Sequence, residues 1–288
     1  MYNGEPILPA RLEILNETVY RFYITESSVT FSGNKKTNFF KDLHSEIFKP
    51  YTDKITWNIF EPSEDTTGNS WAREELNRNN ITEIIRKDIK NHLLPPPENI
   101  VILNTDADEV PSVTALEQIK PGNRLHSKIM NHPMKLDMNM SYFNFNWNNG
   151  PGWRKGNVVL AKHILEGNYT MNGLRNQESG KLPSIPNAGN HLSWGFDIEN
   201  IVRKFESFSH QELNKRDNKS HQHIMTSLEG KTKLWSSMAP YPQKHFDYKE
   251  LSLPLQKFHL ELCKSQGVSP STGQILTLFN DTTFGGEK

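Results

Sequence analysis

The stretch Ile100-Val101-Ile102-Leu103-Asn104-Thr105-Asp106-Ala107-Asp108-Glu109-Val110-Pro111 constrains this chain more than any other. Apolar, mostly β-branched residues run directly into three carboxylates. Such a run reads as a buried parallel strand that delivers acids to its C-terminal edge, where open α/β sheets place their ligands. Asp106 and Asp108 stand at i and i+2, so a turn beyond the strand can aim both at one hard cation. Many Asp-x-Asp tripeptides are only solvated loops or helix caps. Here Glu109 adds a third negative charge that must be compensated, and Mg²⁺ or Mn²⁺ would do so while leaving sites open for a substrate phosphate. Glu109-Val110-Pro111-Ser112 then begins a helix, with Pro111 in its first turn.

The segments around this stretch alternate. Glu5 to Leu15 has helical apolar spacing, Val19 to Ile24 reads as a strand, and Phe39 to Phe48 suits a short helix. Ile55 to Phe60 is a second strand. Ser70 to Leu94 is a long helix stopped by Pro95-Pro96-Pro97. A βαβαβα order of this kind predicts an α/β fold with a doubly wound, mainly parallel sheet, and places Glu26 and Asp106 at the same edge. After residue 125 the pattern changes. Met134 to Tyr142 alternates like one long strand with a single buried face, and a turn follows near Asn148-Asn149-Gly150. Val158-Val159-Leu160 is a further strand. Gly167 to Asn190 reads as one long loop, and Phe196 to Ser207 and Lys219 to Leu228 as helices. Beyond Leu253 the pattern thins, and Gly285 to Lys288 reads as frayed.

Composition excludes several classes. Lys plus Arg and Asp plus Glu are 33 each among 288 residues, so no net field recruits nucleic acid or an anionic membrane. The single cysteine, Cys263, removes a disulfide framework and a cysteine-based zinc site. No apolar run reaches a membrane span and no signal-peptide pattern opens the chain, so the expectation is a cytoplasmic protein.

Outside the acidic stretch, the loop Glu26 to Lys36 combines hydroxyls, Gly33 and two lysines, as a nucleotide-diphosphate site could, or as an ordinary polar loop does. Trp71, Glu74 and Arg78 share one helical face, through an ion pair or through anion contact at the helix start. His191 and His210 are the most suggestive of the histidines, although most histidines are structural or surface groups.

Together these residues carry a resemblance. The order Arg11-Leu12; Glu26-Ser27 with Thr30-Phe31-Ser32-Gly33 and Lys36; Trp71-x-Arg73-Glu74 with Arg78; Asp106-Ala107-Asp108-Glu109-Val110-Pro111; Gly189-x-His191-x-Ser193; and Lys204 with Ser207-Phe208-Ser209-His210-x-Glu212 resembles glycosyltransferase family 17, the β-1,4-mannosyl-glycoprotein 4-β-N-acetylglucosaminyltransferases. The similarity spans roughly residues 5 to 215. It departs where Asn190 replaces the family's usual Trp, where Leu192 and Gly195 stand in place of cysteines, and at the start, where a first strand is expected to be shortened or lost.

The resemblance implies a GT-A-like fold and a metal-dependent inverting glycosyltransferase. Such an enzyme moves a sugar, N-acetylglucosamine by the family's habit, from a UDP-sugar to a glycan or glycolipid hydroxyl. It implies one glycosyltransferase domain over residues 1–250, with a nucleotide-sugar half (1–125) and an acceptor half (126–250), and a partly frayed extension over 251–288. Asp106, Asp108 and His210 become the expected ligands of Mn²⁺ or Mg²⁺. Glu26, Lys36, Trp71, Arg73, Arg78 and Asp106 become donor contacts, and His191, Asp197 and Glu109 the candidate bases. A metal-dependent phosphoesterase or a non-catalytic carbohydrate- or nucleotide-binding relic are the competing readings; the first would need more clustered metal ligands than the sequence offers.

Overall fold

A computed structural model of the chain describes residues 4–37, 45–62, 69–177, 181–235 and 246–275. The first half runs α1 (Leu8–Leu15), β1 (Phe22–Ser27), α2 (Ser45–Phe48), β2 (Ile55–Phe60), α3 (Ser70–Lys90), β3 (Val101–Asn104), β4 (Glu109–Pro111), α4 (Val113–Glu117) and α5 (His126–Asn131). The second half runs β5 (Met134–Leu136), β6 (Met138–Tyr142), β7 (Asn144–Trp153), β8 (Asn157–Leu160), α6 (Ala161–Leu165), α7 (Met171–Asn176), β9 (Ser184–Ile185), β10 (Gly189–Ser193), α8 (Ile198–Ser207), α9 (His221–Gly230) and α10 (Leu253–Gln266).

The fold is mixed α/β with open sheets, but the sheets are not mainly parallel. β1 pairs with β2 in parallel. A second sheet has the order β3-β8-β5-β9 and a third the order β4-β10-β6-β7. Each of these combines parallel with antiparallel pairs. The physical reason lies in the connections. A parallel pair needs a crossover of a dozen or more residues. In the second half β6 passes to β7 through Phe143 alone, in the left-handed region at φ 65°, which makes a tight antiparallel hairpin.

Several expectations shift for similar reasons. The alternating stretch 134–142 is two strands, not one. Asp137 separates β5 from β6 and sends them to different sheets. Glu109 to Pro111 is a short strand rather than a helix start, and the helix begins only after Ser112, whose hydroxyl accepts from Ala115 N–H. The segment read as a loop from Gly167 to Asn190 contains α7 and β9. Past Leu253 the chain forms the 14-residue α10, ended by Gly267 at φ 67°. Its Gln266 amide donates to the carbonyls of Phe143 and Phe196, which ties the helix to the third sheet. Of the short helix expected at Phe39 to Phe48, residues 39–44 lie outside the described residues, as do Gly285 to Lys288.

The acidic strand itself departs from expectation in burial. β3 runs antiparallel to β8, and all four of its residues are only half-buried. Packing nevertheless divides cleanly around it. Phe22, Ile24, Val101 and Leu103 join the core formed with α1, whereas Tyr23, Ile100 and Ile102 join the core formed with α3 and α7.

Candidate active site

Glu109 holds the turn that follows β3. Its carboxylate accepts the Asp106 backbone N–H at 2.9 Å and the Trp153 indole N–H at 2.6 Å, and the side chain is fully buried. Arg11 reaches the same turn from α1, donating to the Asp106 carbonyl at 2.7 Å and to Thr105 Oγ1 at 2.6 Å. The two aspartates therefore sit on a backbone pinned from two sides.

Their carboxylates have different partners. Asp106 Oδ2 lies 3.0 Å from Arg78 Nη2 and 2.7 Å from Arg175 Nη2. Arg78 also pairs with Glu74 at 2.5 Å, and Arg175 with Glu109 at 2.9 Å. Burial works to raise the Asp106 pKa, but Arg175 and Arg78 outweigh it and hold the group far below the usual carboxylate range. Among the described residues the Asp108 carboxylate has only longer contacts, 3.6 Å to His191 Nε2 and 3.6 Å to Lys204 Nζ. Burial again opposes ionisation there, and His191 followed by Lys204 brings the carboxyl down to about 2. Lys204 is steadied by the faces of Phe196 and Trp194, whose centroids lie 5.0 and 5.2 Å from its Nζ.

His191 arrives through β10, in register opposite Glu109. That pairing requires Gly189. Its φ is +134°, and a Cβ there would sit 2.1 Å from the Val110 carbonyl oxygen. The His191 ring stacks on Trp153 at 4.0 Å with 17° between planes, and its Nδ1 faces Met140 Sδ at 2.9 Å. Trp153 thus links the imidazole to Glu109, and the acids, the guanidiniums and the histidine form one connected cluster.

A family model, glycosyltransferase family 17, matches residues 1–260. The chain belongs to that family. Membership makes it a transferase of glycosyl groups, with a sugar donor and a glycan acceptor. No curated protein and no solved structure matches it. No helix among the described residues is long and apolar enough to cross a membrane.

The other expected site residues of this family 17 chain fall into distinct settings. Lys36 Nζ meets Glu26 at 2.6 Å with both side chains buried, and Arg73 donates to the Phe31 carbonyl at 2.7 Å beneath Gly33. These charges fold the hydroxyl-rich loop back onto α3. The end of α8 closes over it through Phe31 N–H to the Ser207 carbonyl, and the segment beyond is fixed to α3 by a hydrogen bond between Ser209 and Glu74. Trp71 is half exposed at the start of α3, edge-on to His210 at 4.5 Å, and His210 pairs with Glu212 at 2.6 Å. Among the described residues no three His, Cys, Asp or Glu side chains converge as a metal cage, so His210 does not complete one with Asp106 and Asp108. Asp197 caps α8, accepting from Asn200 N at 2.8 Å and Nδ2 at 2.7 Å.

Sequence reasoning named Arg78 as a donor contact but gave no site role to the other cations of the cluster. Arg11 and Lys204 belong to the motif string behind the resemblance, yet only the fold gives them partners. Trp153 and Arg175 offered little local signal: a tryptophan after Gly150-Pro151-Gly152, and one arginine in a Gly- and Asn-rich segment. Behind Arg175 stands Lys135, fully buried, whose Nζ donates to the Leu174 and Arg175 carbonyls at 2.6 and 3.3 Å and so caps α7.

Proposed function

We propose that this chain is a metal-dependent, inverting transferase of N-acetylglucosamine from a UDP-sugar to a glycan hydroxyl. Family membership supports glycosyl transfer, and the observation that carries the finer reading is the pairing of a lightly held Asp108 with a cluster of fixed cations. A hard cation fits there. Asp108 keeps its oxygens 3.6 Å from His191 Nε2 and Lys204 Nζ and is accessible at its edge, while Asp106 is engaged by two arginines. Asp108 would thus hold Mn²⁺ or Mg²⁺, with Asp106 in support.

Charge supports a diphosphate as co-ligand. Arg11, Arg78, Arg175 and Lys204 stand against Glu74, Asp106, Asp108 and Glu109, so the cluster is balanced before any ligand arrives. A divalent cation and a diphosphate entering together keep it balanced. The cation supplies Lewis-acid stabilisation of the charge that builds on the departing diphosphate. Arg78, Arg175 and Lys204 add fixed positive charge beside it, preorganised by their acidic partners. Glu26, Lys36 and Arg73 shape the loop that meets the nucleoside, with Trp71 at its rim. Residues 1–125 so form the donor half and residues 126–250 the acceptor half.

Inversion needs a base that removes the acceptor hydroxyl proton opposite the leaving group. Glu109 is saturated by Asp106 N–H, Trp153 and Arg175, and Asp197 by its helix cap. His191 is the group left for the task. Trp153 fixes its ring plane, and Asp108 lies where it offsets the charge the ring gains on taking the proton.

The test is a thermal-shift titration with UDP-N-acetylglucosamine, with Mn²⁺ or with EDTA, followed by transfer to oligosaccharide acceptors. Ligand at about 100 times its Kd adds roughly 2.7 kcal/mol to the folded state. A shift that needs both metal and sugar nucleotide is the expected result. Protection by other nucleotide sugars alone would reassign the donor, and no shift with any of them would overturn the reading.

A further inference from the structure

β6 and β10 end in the same unusual conformation. They pair in parallel up to Tyr142 and Ser193, and the next residue of each strand is left-handed, Phe143 at φ 65° and Trp194 at φ 59°. A bulky side chain at positive φ is an outlier, and a buried one must be held there by its surroundings. Phe143 N–H donates to the Ser193 carbonyl at 2.9 Å, and Phe196 N–H folds back to the Trp194 carbonyl at 2.8 Å. The reversal passes through Gly195, where a Cβ would lie 2.6 Å from Leu192 Cγ, so only glycine fits. Gln266 of α10, itself buried, clamps both strand ends through the Phe143 and Phe196 carbonyls at 3.1 and 2.9 Å.

The strained turn brings two ring faces to one point. In an extended strand residues i and i+2 point the same way side by side. Here the reversal turns both Trp194 and Phe196 onto a single atom, Lys204 Nζ on α8, at 5.2 and 5.0 Å. Lys204 is held differently from the arginines of the cluster. Arg78 is shared between Glu74 and Asp106, and Arg175 between Asp106 and Glu109. Among the described residues the one ion pair of Lys204 is the 3.6 Å contact to Asp108. A ring face attracts an ammonium through its quadrupole and locates it without neutralising its charge. Lys204 is thereby fixed in place with its charge left for an arriving anion.

We propose that Trp194 and Phe196 are positioning residues of glycosyl transfer, which hold the Lys204 ammonium beside Asp108 for the diphosphate of the donor. The assignment rests on the reading of this cluster as the donor site. It also gives the left-handed turn a task. Trp194 packs on Phe205 and Phe208 as well, but burial against those rings does not by itself call for a backbone at positive φ. Strain of this kind persists where the surrounding structure over-determines it, and it gathers at functional sites. Gln266, by fixing the Phe196 carbonyl, brings α10 into the same support.

The test is calorimetric titration of UDP, with Mn²⁺ present, into the full chain as parent, Trp194→Leu, Lys204→Met and the double variant. If Trp194 acts through Lys204, Trp194→Leu weakens UDP by about tenfold, the size of one desolvated cation–π contact. Lys204→Met weakens it at least as much, and the double variant binds no more weakly than Lys204→Met alone. Trp194→Phe, which keeps an aromatic face, should stay within about threefold of the parent. Should Trp194→Leu not fold, Phe196→Leu takes its place in the same cycle. Losses that multiply in the double variant, as a merely structural role would give, overturn the assignment and leave the donor site standing. So does a Trp194→Leu protein that binds UDP like the parent. A parent that binds no UDP overturns the donor reading and the assignment together.

Discussion

Arg175 lies 2.7 Å from Asp106, and its other terminal nitrogen reaches Glu109 at 2.9 Å. One guanidinium therefore joins the first acid of the motif to the residue that holds the motif's turn. Glu109 is fully buried and Arg175 nearly so. Arg175→Met should leave the fully buried Glu109 and the partly buried Asp106 each short of a partner and cost about 3–5 kcal/mol of stability. Arg175→Lys, with a single point charge in place of a fork, should recover only part of it. Urea denaturation of the three proteins measures the difference; a neutral Arg175→Met would show that the bridge carries no energy.

Asp108→Asn should abolish sugar transfer while leaving the melting temperature within a few degrees of the parent. Its partners are long contacts, and a contribution of roughly 2 kcal/mol moves the melt of a chain this long by only a few degrees, whereas the loss of a charge-stabilising group at the reaction centre costs on the order of 10²–10³ in kcat. Transfer assays paired with thermal melts decide it. Full activity would remove Asp108 from the mechanism.

Acid should unfold the chain in a defined window. The folded-state pKa of Asp108 lies at about 2, below the ordinary value of 3.8, and that of Asp106 lies lower still. A depressed carboxyl contributes stability that is present above the unfolded-state pKa and is lost as pH falls through the folded-state value. For Asp108 the contribution is roughly 2 kcal/mol. Stability should thus decline from about pH 5 down to pH 2. Asp108→Asn should show a shallower decline over that range when both proteins are followed by denaturant titration at each pH.

Gly189→Ala should be among the most damaging single-methyl changes in the chain. The added Cβ would meet the Val110 carbonyl oxygen at 2.1 Å, in a backbone conformation that side chains avoid. Overpacking and strain together should cost at least about 2 kcal/mol. Because Gly189 opens β10, activity should fall further than stability, as His191 loses its register opposite Glu109. Near-normal transfer in a folded Gly189→Ala protein would show that this register is not needed.

Trp153→Phe separates two roles of one side chain. A phenyl ring keeps the stack on His191 but loses the N–H that reaches Glu109 at 2.6 Å. If the ring plane of His191 governs proton removal, kcat should be largely retained and stability should drop by about 1–3 kcal/mol, the cost of an unmet hydrogen bond to a buried charge. Transfer kinetics and denaturation on one preparation separate the two effects.

Much of this protein is local and therefore legible in one dimension. Residues 100–104 announce a strand, Pro95-Pro96-Pro97 a helix stop, and residues 106–109 an acidic turn, because backbone sterics, side-chain period and charge density act over a few neighbours. The ordered motifs likewise sufficed for the resemblance to family 17. What the sequence could not determine is which distant groups meet. Arg11, Trp153, Arg175 and Lys204 converge on residues 105–109 from α1, β7, α7 and α8, and no local rule marks an arginine as the partner of an aspartate 69 positions away. Strand direction was beyond reach for the same reason. A run such as Val158-Val159-Leu160 has the same pattern whether its neighbour is parallel or antiparallel, and the choice is made by the connections and by which faces remain to be buried. Local chemistry set the elements and the acids; the tertiary structure decided the cations that partner them, since compensating a buried charge depends on proximity in space rather than in sequence.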